Sequence, residues 1–296
     1  MIKQPKTVIE YLEYFISSQK RLLNNGLTAG TIRTYKTREL YLKLFLTRHK
    51  LYKCKPCDIT IHIIREYELF LLTERKLCNN YAMKCIHILD RILRMAMENG
   101  DIISNPADLF KYHYNRDIVI IYLEREDLVR IKKLQLSSSH RLTRDIFLFG
   151  CFTGLSFSDI QAFDTSKNII IGPDKKKWVH VKRKKNGSDT FLPLLPEAAE
   201  ILNYYYNRLP NKTNQRVNAG LKVIAKKAKI KQVLTSHVAR KTFGNILHNE
   251  LNVPIETVSK MLGHKSIKTT ESWYVQTNIK KIAADMKGIE FFSIVA

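Results

Sequence analysis

Lys185, His237, Arg240, His264 and Tyr274 are side chains suited to one reaction, the transfer of a phosphodiester to a phenol. A phenol attacking phosphorus builds negative charge on two non-bridging oxygens, and donors aimed at those oxygens lower the barrier. Arg240 offers a planar fork of donors and His237 a further one. Their spacing of three puts both on one helical face. Thr235-Ser236 is a natural helix start, so the positive end of that helix would point at the same anion. His264 closes the triplet Leu262-Gly263-His264, the end of a short helix opened by Pro254 at its first position. Lys185 stands in VKRKKNGS, at the end of a strand beside an Asn186-Gly187 turn, where an amine could protonate a departing sugar oxygen. Tyr274 would be the covalent nucleophile. The set calls for no metal and no cofactor. Singly, each feature has a plainer use: a solvated helix face, an ordinary helix end, a packed tyrosine, a basic loop. Their order and company give them weight.

The elements that must position these residues follow from the hydrophobic pattern. Thr7-Val-Ile-Glu10 is a capping box ahead of an amphipathic helix that Asn24-Asn25-Gly26 stops. A second helix starts at Thr28, with Ile32, Tyr35, Leu40, Phe45 and Leu46 on its apolar side and Arg33, Lys36, Arg38 and Lys43 among them. Arg33, Lys36 and Arg38 could lie against DNA phosphates, although such charge is more often a solvated face. A third helix starts after Asp58-Ile-Thr60 and a fourth at Asn79-Asn80, which Gly100 closes. Asn105-Pro106 marks an end, and KYHYNRDIVI reads as a linker. Beyond it, RDIFLFGCFTGLSFSDIQAF predicts a buried helix, a break at Gly154 and a short helix. NIII, WVHVK and TFLPL predict three strands with turns at Gly172-Pro-Asp and Asn186-Gly187, and helices resume at PEAAEILNYYYNRL. The fold class is therefore mainly α (α+β): a helical domain over residues 1–112, a linker over 113–121, and a mostly helical domain with a small antiparallel sheet over 122–296.

Composition narrows the partners. The chain has 296 residues and a formal net charge of +23, a field that favours a polyanion and makes binding strongly salt-dependent. Charge alone also fits a ribosome-associated or membrane-surface protein. No apolar run approaches the ~20 residues of a membrane span, and MIKQPKTVIEYLEYF lacks a signal-peptide core. The 5 cysteines are unevenly spaced, as in a reducing compartment, so a cytoplasmic protein is expected. Cys54-Lys-Pro-Cys57 has the spacing of half a zinc site, but Cys78 and Cys85 make no second half, and a turn ahead of a helix is the simpler reading.

The stretch SHVARKTFGNILHNELNVPIETVSKMLGHKSIKTTESWY strongly resembles the C-terminal signature of tyrosine recombinases, the phage-integrase type. FTGLSFSDI resembles their first motif, and the Asn105-Pro106 boundary resembles the junction between their core-DNA-binding (SAM-like) and catalytic domains. The resemblance covers nearly the whole chain, the block from HxxR through Leu-Gly-His to tyrosine being its specific part. It implies a clamp around double-stranded DNA recombination sites, homotetramers on paired sites, accessory DNA-bending proteins, a bacterial setting, and a mobile-element integrase without an arm-binding domain. It assigns the scissile phosphate to Arg240, His237 and His264, general-acid work to Lys185, attack to Tyr274 and a supporting role to Asp159. The apolar tail GIEFFSIVA would pack on a neighbouring subunit or on its own core.

Two positions depart from the pattern. The first motif carries an arginine where this chain has Ser156, and Arg183, two residues before Lys185 and on the same strand face, is the expected substitute. Family members place the tyrosine nine residues after the histidine of Leu-Gly-His. That place is Trp273 here, with Tyr274 one residue further, and one residue on a helix turns a side chain by ~100°. A degenerate member that binds sites and regulates recombination without cutting is therefore an open alternative. A type IB topoisomerase-like enzyme is a second, and an RNA-binding module a distant third.

Overall fold

The structure, a computed structural model, describes residues 5–23, 25–115, 120–273 and 278–285. Tyr274, the tail GIEFFSIVA and part of the expected linker lie outside the described residues. The chain divides into two compact units, Met1–Asp117 and Ile118–Ala296.

The first unit is built from α1 (Val8–Arg21), α2 (Ala29–Arg48), α3 (Ile61–Leu69) and α4 (Asn79–Glu98). Thr7 and Glu10 form the expected capping box, and Thr28 and Thr60 cap α2 and α3 through their hydroxyls. Tyr11, Leu12, Phe15, Leu42, Phe45, Leu46, Ile64 and Tyr67 are buried at its centre with the inner face of α4. Each such large side chain contributes about 1.5–3 kcal/mol by leaving water. Leu40 does not join them. It is 54% exposed, because the stripe through Ile32, Leu42, Phe45 and Leu46 advances by turns of 3.6 residues and leaves position 40 on the other face. Pro56–Asp58 is a 3-10 turn ahead of α3, the simpler of the two readings of the Cys54–Cys57 stretch.

The second unit opens with α5 (Arg125–Lys133), started by a capping box between Glu124 and Asp127. The buried α6 (Ser138–Thr153) follows and ends at Gly154 in the left-handed conformation. After α7 (Phe157–Gln161) and the short α8 (Thr165–Asn168) come β1 (Ile169–Ile171), β2 (Lys177–Lys182) and β3 (Asp189–Pro193). They form an antiparallel sheet in that order, with Val179 opposite Leu192 facing the core. The helices α9 (Pro196–Tyr204), α10 (Asn214–Lys227), α11 (Ser236–Asn245), α12 (Ile255–Met261), α13 (Ile267–Trp273) and α14 (Ile279–Asp285) complete it. Helix α6, with Ile146, Phe147 and Phe149 almost fully buried, is the axle against which α9, α10 and α11 pack. Among the described residues no helix is long and apolar enough to cross a membrane.

Three local expectations are corrected. Strand β2 stops at Lys182, so Arg183 and Lys185 lie in the loop to β3 and not on one strand face. There Arg183 is buried and Lys185 exposed, because the Gly187 N–H closes a turn back onto the Arg183 carbonyl. Pro254 is the N-cap of α12, not its first residue. Neither Thr235 nor Ser236 caps α11 with its hydroxyl; Ser236 instead donates from Oγ to Asn214 and from its backbone N–H to Asn218, tying α11 to α10.

Candidate active site

The site is organised around the end of α12. The Gly263 N–H donates to the Lys260 carbonyl at 2.8 Å and the His264 N–H to the Ser259 carbonyl at 3.0 Å, the paired bonds of a Schellman cap. Such a cap requires a left-handed residue, and Gly263 has φ +61°. A side chain there would also force its neighbours to move, since a Cβ would sit 2.4 Å from Thr190 Oγ1 and 2.7 Å from Arg183 Cδ. The close approach lets the loop between β2 and β3 lie on the cap. Ser188 Oγ donates to the Gly263 carbonyl at 2.7 Å and Asn186 Nδ2 at 3.2 Å.

The carbonyl of Leu262 then becomes the hub. Arg183 Nη1 donates to it at 2.7 Å, and Arg240 Nη2 donates to the same oxygen. Arg240, 1% exposed, also reaches the Gly154 carbonyl through Nη1 at 2.5 Å. Its Nη2 lies 3.0 Å from His264 Nε2. An arginine only donates, so Nε2 is the accepting nitrogen of His264 and Nδ1 carries the proton. That proton goes to Thr270 Oγ1 at 2.8 Å, which orients the imidazole. Gly154 is held at φ +63° with Phe243 against its α-carbon, so its carbonyl is locked toward Arg240.

Arg183 is braced from its other side. Its Nε lies 3.4 Å from Asp159 Oδ2, and Asp159 Oδ1 accepts the Lys184 N–H at 3.1 Å. Ser156, the residue found where the family pattern has arginine, caps α7 and donates from Oγ to Asp159 Oδ2 at 2.6 Å. Ser156, Asp159, Arg183, Leu262 and Arg240 thus form one connected run.

Desolvation, with the surrounding charges, makes the two imidazoles poor proton acceptors. Desolvation first, then the charges of Lys241, Arg240, Lys185 and Arg183, push His237 down to about 4. Desolvation, Arg240, Arg183, His237 and Lys185 push His264 down to about 3. His237 keeps part of its surface open to solvent, whereas Arg240 is almost fully buried. The fold therefore gathers Arg183, Lys185, His237, Arg240 and His264, with Ser156 and Asp159 behind them. Tyr274 lies outside the described residues. Among the described residues no group of three or more His, Cys, Asp or Glu side chains could hold a metal ion.

Sequence reasoning missed the Leu262 and Gly154 carbonyls, because a backbone acceptor leaves no mark on residue type. It also missed Thr270 and Lys241. Position 241 did carry a signal, four residues after His237 and so on the same helical face. In the first unit Arg33 and Lys36 are exposed, and the half-buried Arg38 guanidinium stands over the Tyr81 ring at 5.8 Å.

Residues 124–281 match the pattern of the phage integrase family, and residues 7–114 that of its SAM-like domain. The chain belongs to the phage integrase family. It is a tyrosine recombinase by family, a class of site-specific enzymes that cleave and rejoin DNA strands. Its fold is similar to lambda integrase (residues 75–356) in a dimer bound to a COC′ core site, at 18% identity and TM-score 0.70, covering 95% of this chain and 96% of that one. It is also similar to the Tn1549 transposon integrase with circular intermediate DNA, at 16% identity and TM-score 0.69, covering 96% and 99%. A lambda integrase tetramer on a Holliday junction matches at 17% identity and TM-score 0.68, covering 97% and 79%. No curated protein sequence matches the chain.

Proposed function

We propose that Tyr274, its phenolic proton passing to water, attacks the scissile phosphate of a double-stranded recombination site, forming a 3′-phosphotyrosine bond as the bond to the 5′ oxygen breaks. Lys185 gives its proton to that oxygen, and Arg240, Arg183, His237 and His264 carry the charge on the non-bridging oxygens. Attack by a 5′ hydroxyl reverses the sequence and joins a new partner strand. No high-energy cofactor is consumed, because the phosphotyrosine bond conserves the energy of the bond it replaced. What supports the reading most is the pairing of Arg183 and Arg240 on one carbonyl, which supplies two guanidiniums although Ser156 supplies none.

Residues 1–112 would form the core-DNA-binding domain, with Arg33, Lys36 and Arg38 toward the phosphates, and residues 122–296 the catalytic domain. Homotetramers on paired sites, helped by DNA-bending proteins, would perform strand exchange, with GIEFFSIVA packing on a neighbouring subunit. A second reading is a site-binding regulator that does not cut, favoured by Trp273 standing where the pattern has its tyrosine. A nicked suicide substrate decides between them. The wild type should form a covalent adduct that Tyr274→Phe abolishes; a wild type that binds the site and forms none supports the regulator.

A further inference from the structure

We infer that Asn249 is a positioning residue for strand cleavage, its amide anchoring the chain just after the nucleophile to the helix that holds the phosphate. The inference rests on Tyr274 being that nucleophile. Helix α11 does not end in an ordinary cap. At Asn245 it passes into a π-turn, Ile246–Glu250, in which the Leu251 N–H reaches the Ile246 carbonyl at 3.0 Å. Such turns are rare, and they re-aim the side chains that follow them.

A ladder of amides runs along this turn. Asn245 Nδ2 donates to the Lys241 carbonyl at 2.9 Å, and Asn249 Nδ2 donates to Asn245 Oδ1 at 3.2 Å. Asn249 Oδ1 accepts the backbone N–H of Asn278 at 3.4 Å. Asn245 and Asn249 are 1% and 6% exposed, and buried amides of this kind are costly unless bonded. Asn278 in turn starts α14: its Oδ1 accepts the Lys281 N–H at 3.0 Å and its carbonyl the Ile282 N–H at 3.1 Å. Helix α14 packs on the π-turn, with Lys281 buried.

The ladder begins one residue past Arg240 and ends four residues past Tyr274. On the near side of Tyr274, Thr270 is bonded to His264. The chain therefore enters and leaves the nucleophile's neighbourhood at two points, each tied to a phosphate ligand or to the helix that bears one. Two fixed anchors, and not a count of residues from His264, then set where the phenol can go. This gives the spacing of ten residues between His264 and Tyr274 a physical footing. Asparagine suits position 249 because one end of its amide must donate and the other accept.

The test compares Asn249→Ala and Asn249→Asp, the latter keeping an acceptor for the Asn278 N–H, in the full chain on a nicked suicide substrate. A misplaced nucleophile costs on the order of a hundredfold in rate for an ångström of error, so Asn249→Ala should form adduct tenfold to a hundredfold more slowly. Its affinity for the uncut site should be unchanged, and Asn249→Asp should recover part of the rate. Hydrogen exchange in the peptide containing Asn278 should be about fivefold faster in Asn249→Ala, as removal of one hydrogen bond implies. Wild-type exchange and cleavage in Asn249→Ala, a loss of DNA affinity equal to the loss of rate, or no recovery by Asn249→Asp would each overturn the inference. Should Asn249→Ala melt below the assay temperature, Asn278→Pro removes the accepted N–H from the other side and takes its place. If the wild type forms no adduct the nucleophile reading fails, and exchange alone then decides whether the anchor exists.

Discussion

Arg183 and Arg240 donate to a single acceptor, the carbonyl oxygen of Leu262, from two different elements. Two guanidiniums brought this close repel, and the partial negative charge at the end of α12 together with Asp159 offsets only part of that repulsion. The site is built to gain more from a developing phosphorane than from water. The proposed place of Arg183 among the phosphate ligands requires that replacing it be felt in the chemical step. Arg183→Ala should lower the single-turnover rate of adduct formation by about 10²–10³-fold. Arg183→Lys should recover little, since an ammonium cannot serve Asp159, Leu262 and a phosphate in a fixed fork. Rapid-quench cleavage of a suicide substrate measures both, and wild-type rates in Arg183→Ala would remove Arg183 from the site.

Gly263 is where the backbone decides the geometry. An alanine there would have to hold φ +61° and push a methyl group into Thr190 and Arg183. Left-handed strain alone costs about 1–2 kcal/mol, and the overlap adds to it. Gly263→Ala should melt several degrees lower. The folded fraction should also cleave more slowly, because the β2–β3 loop that carries Arg183 and Lys185 has to lift off the cap. Equal rates per folded molecule would show that the loop does not need this contact.

Most of this architecture was legible in the residues, and the failures have a common cause. Helix starts at Thr7, Thr28 and Thr60, the Gly154 break and the three strands were readable because caps, glycine and alternation are local signals. Leu40 was misplaced because apolar type was given more weight than angle. Arg183 does not share a strand face with Lys185: alternation along a strand does not apply in a loop, and what brings Arg183 inward is its bonding to Asp159 and Leu262. Those bonds span 24 and 79 residues of sequence, a separation no local pattern encodes.

The imidazoles give the site a pH signature. With His237 held at about 4 and His264 at about 3, both are neutral at pH 7, whereas in the unfolded chain they protonate near 6.5. Between those values the unfolded chain binds more protons than the folded one, so stability should fall as pH drops from about 6.5 toward 4. A bound phosphate reverses the bias by favouring the imidazolium. DNA binding near pH 5 should therefore take up protons, a quantity read by calorimetry in buffers of different ionisation enthalpy. No uptake at pH 5, or His237 and His264 ring signals titrating near 6.5 in the free protein, would contradict the neutral pair.

In the first unit, basic residues on one helix should separate into those that hold DNA and those that hold the protein. Arg33 and Lys36 are exposed on α2. Lys43, on the same helix, lies 2.7 Å from Glu13 and 2.9 Å from Glu39, and these carboxylates keep its charge at home. A side chain that neutralises one phosphate adds about 1 to the steepness of log affinity against log salt. Arg33→Ala and Lys36→Ala should each make that slope shallower by this amount and weaken all sequences alike, since binding to phosphate carries no base information. Lys43→Ala should leave the slope unchanged and lower the melting temperature slightly, as exposed ion pairs do. Filter binding over a salt series, run on a recombination site and on unrelated duplex, checks all three. A shallower slope in Lys43→Ala with none in Arg33→Ala would place the DNA on a different face of the helix.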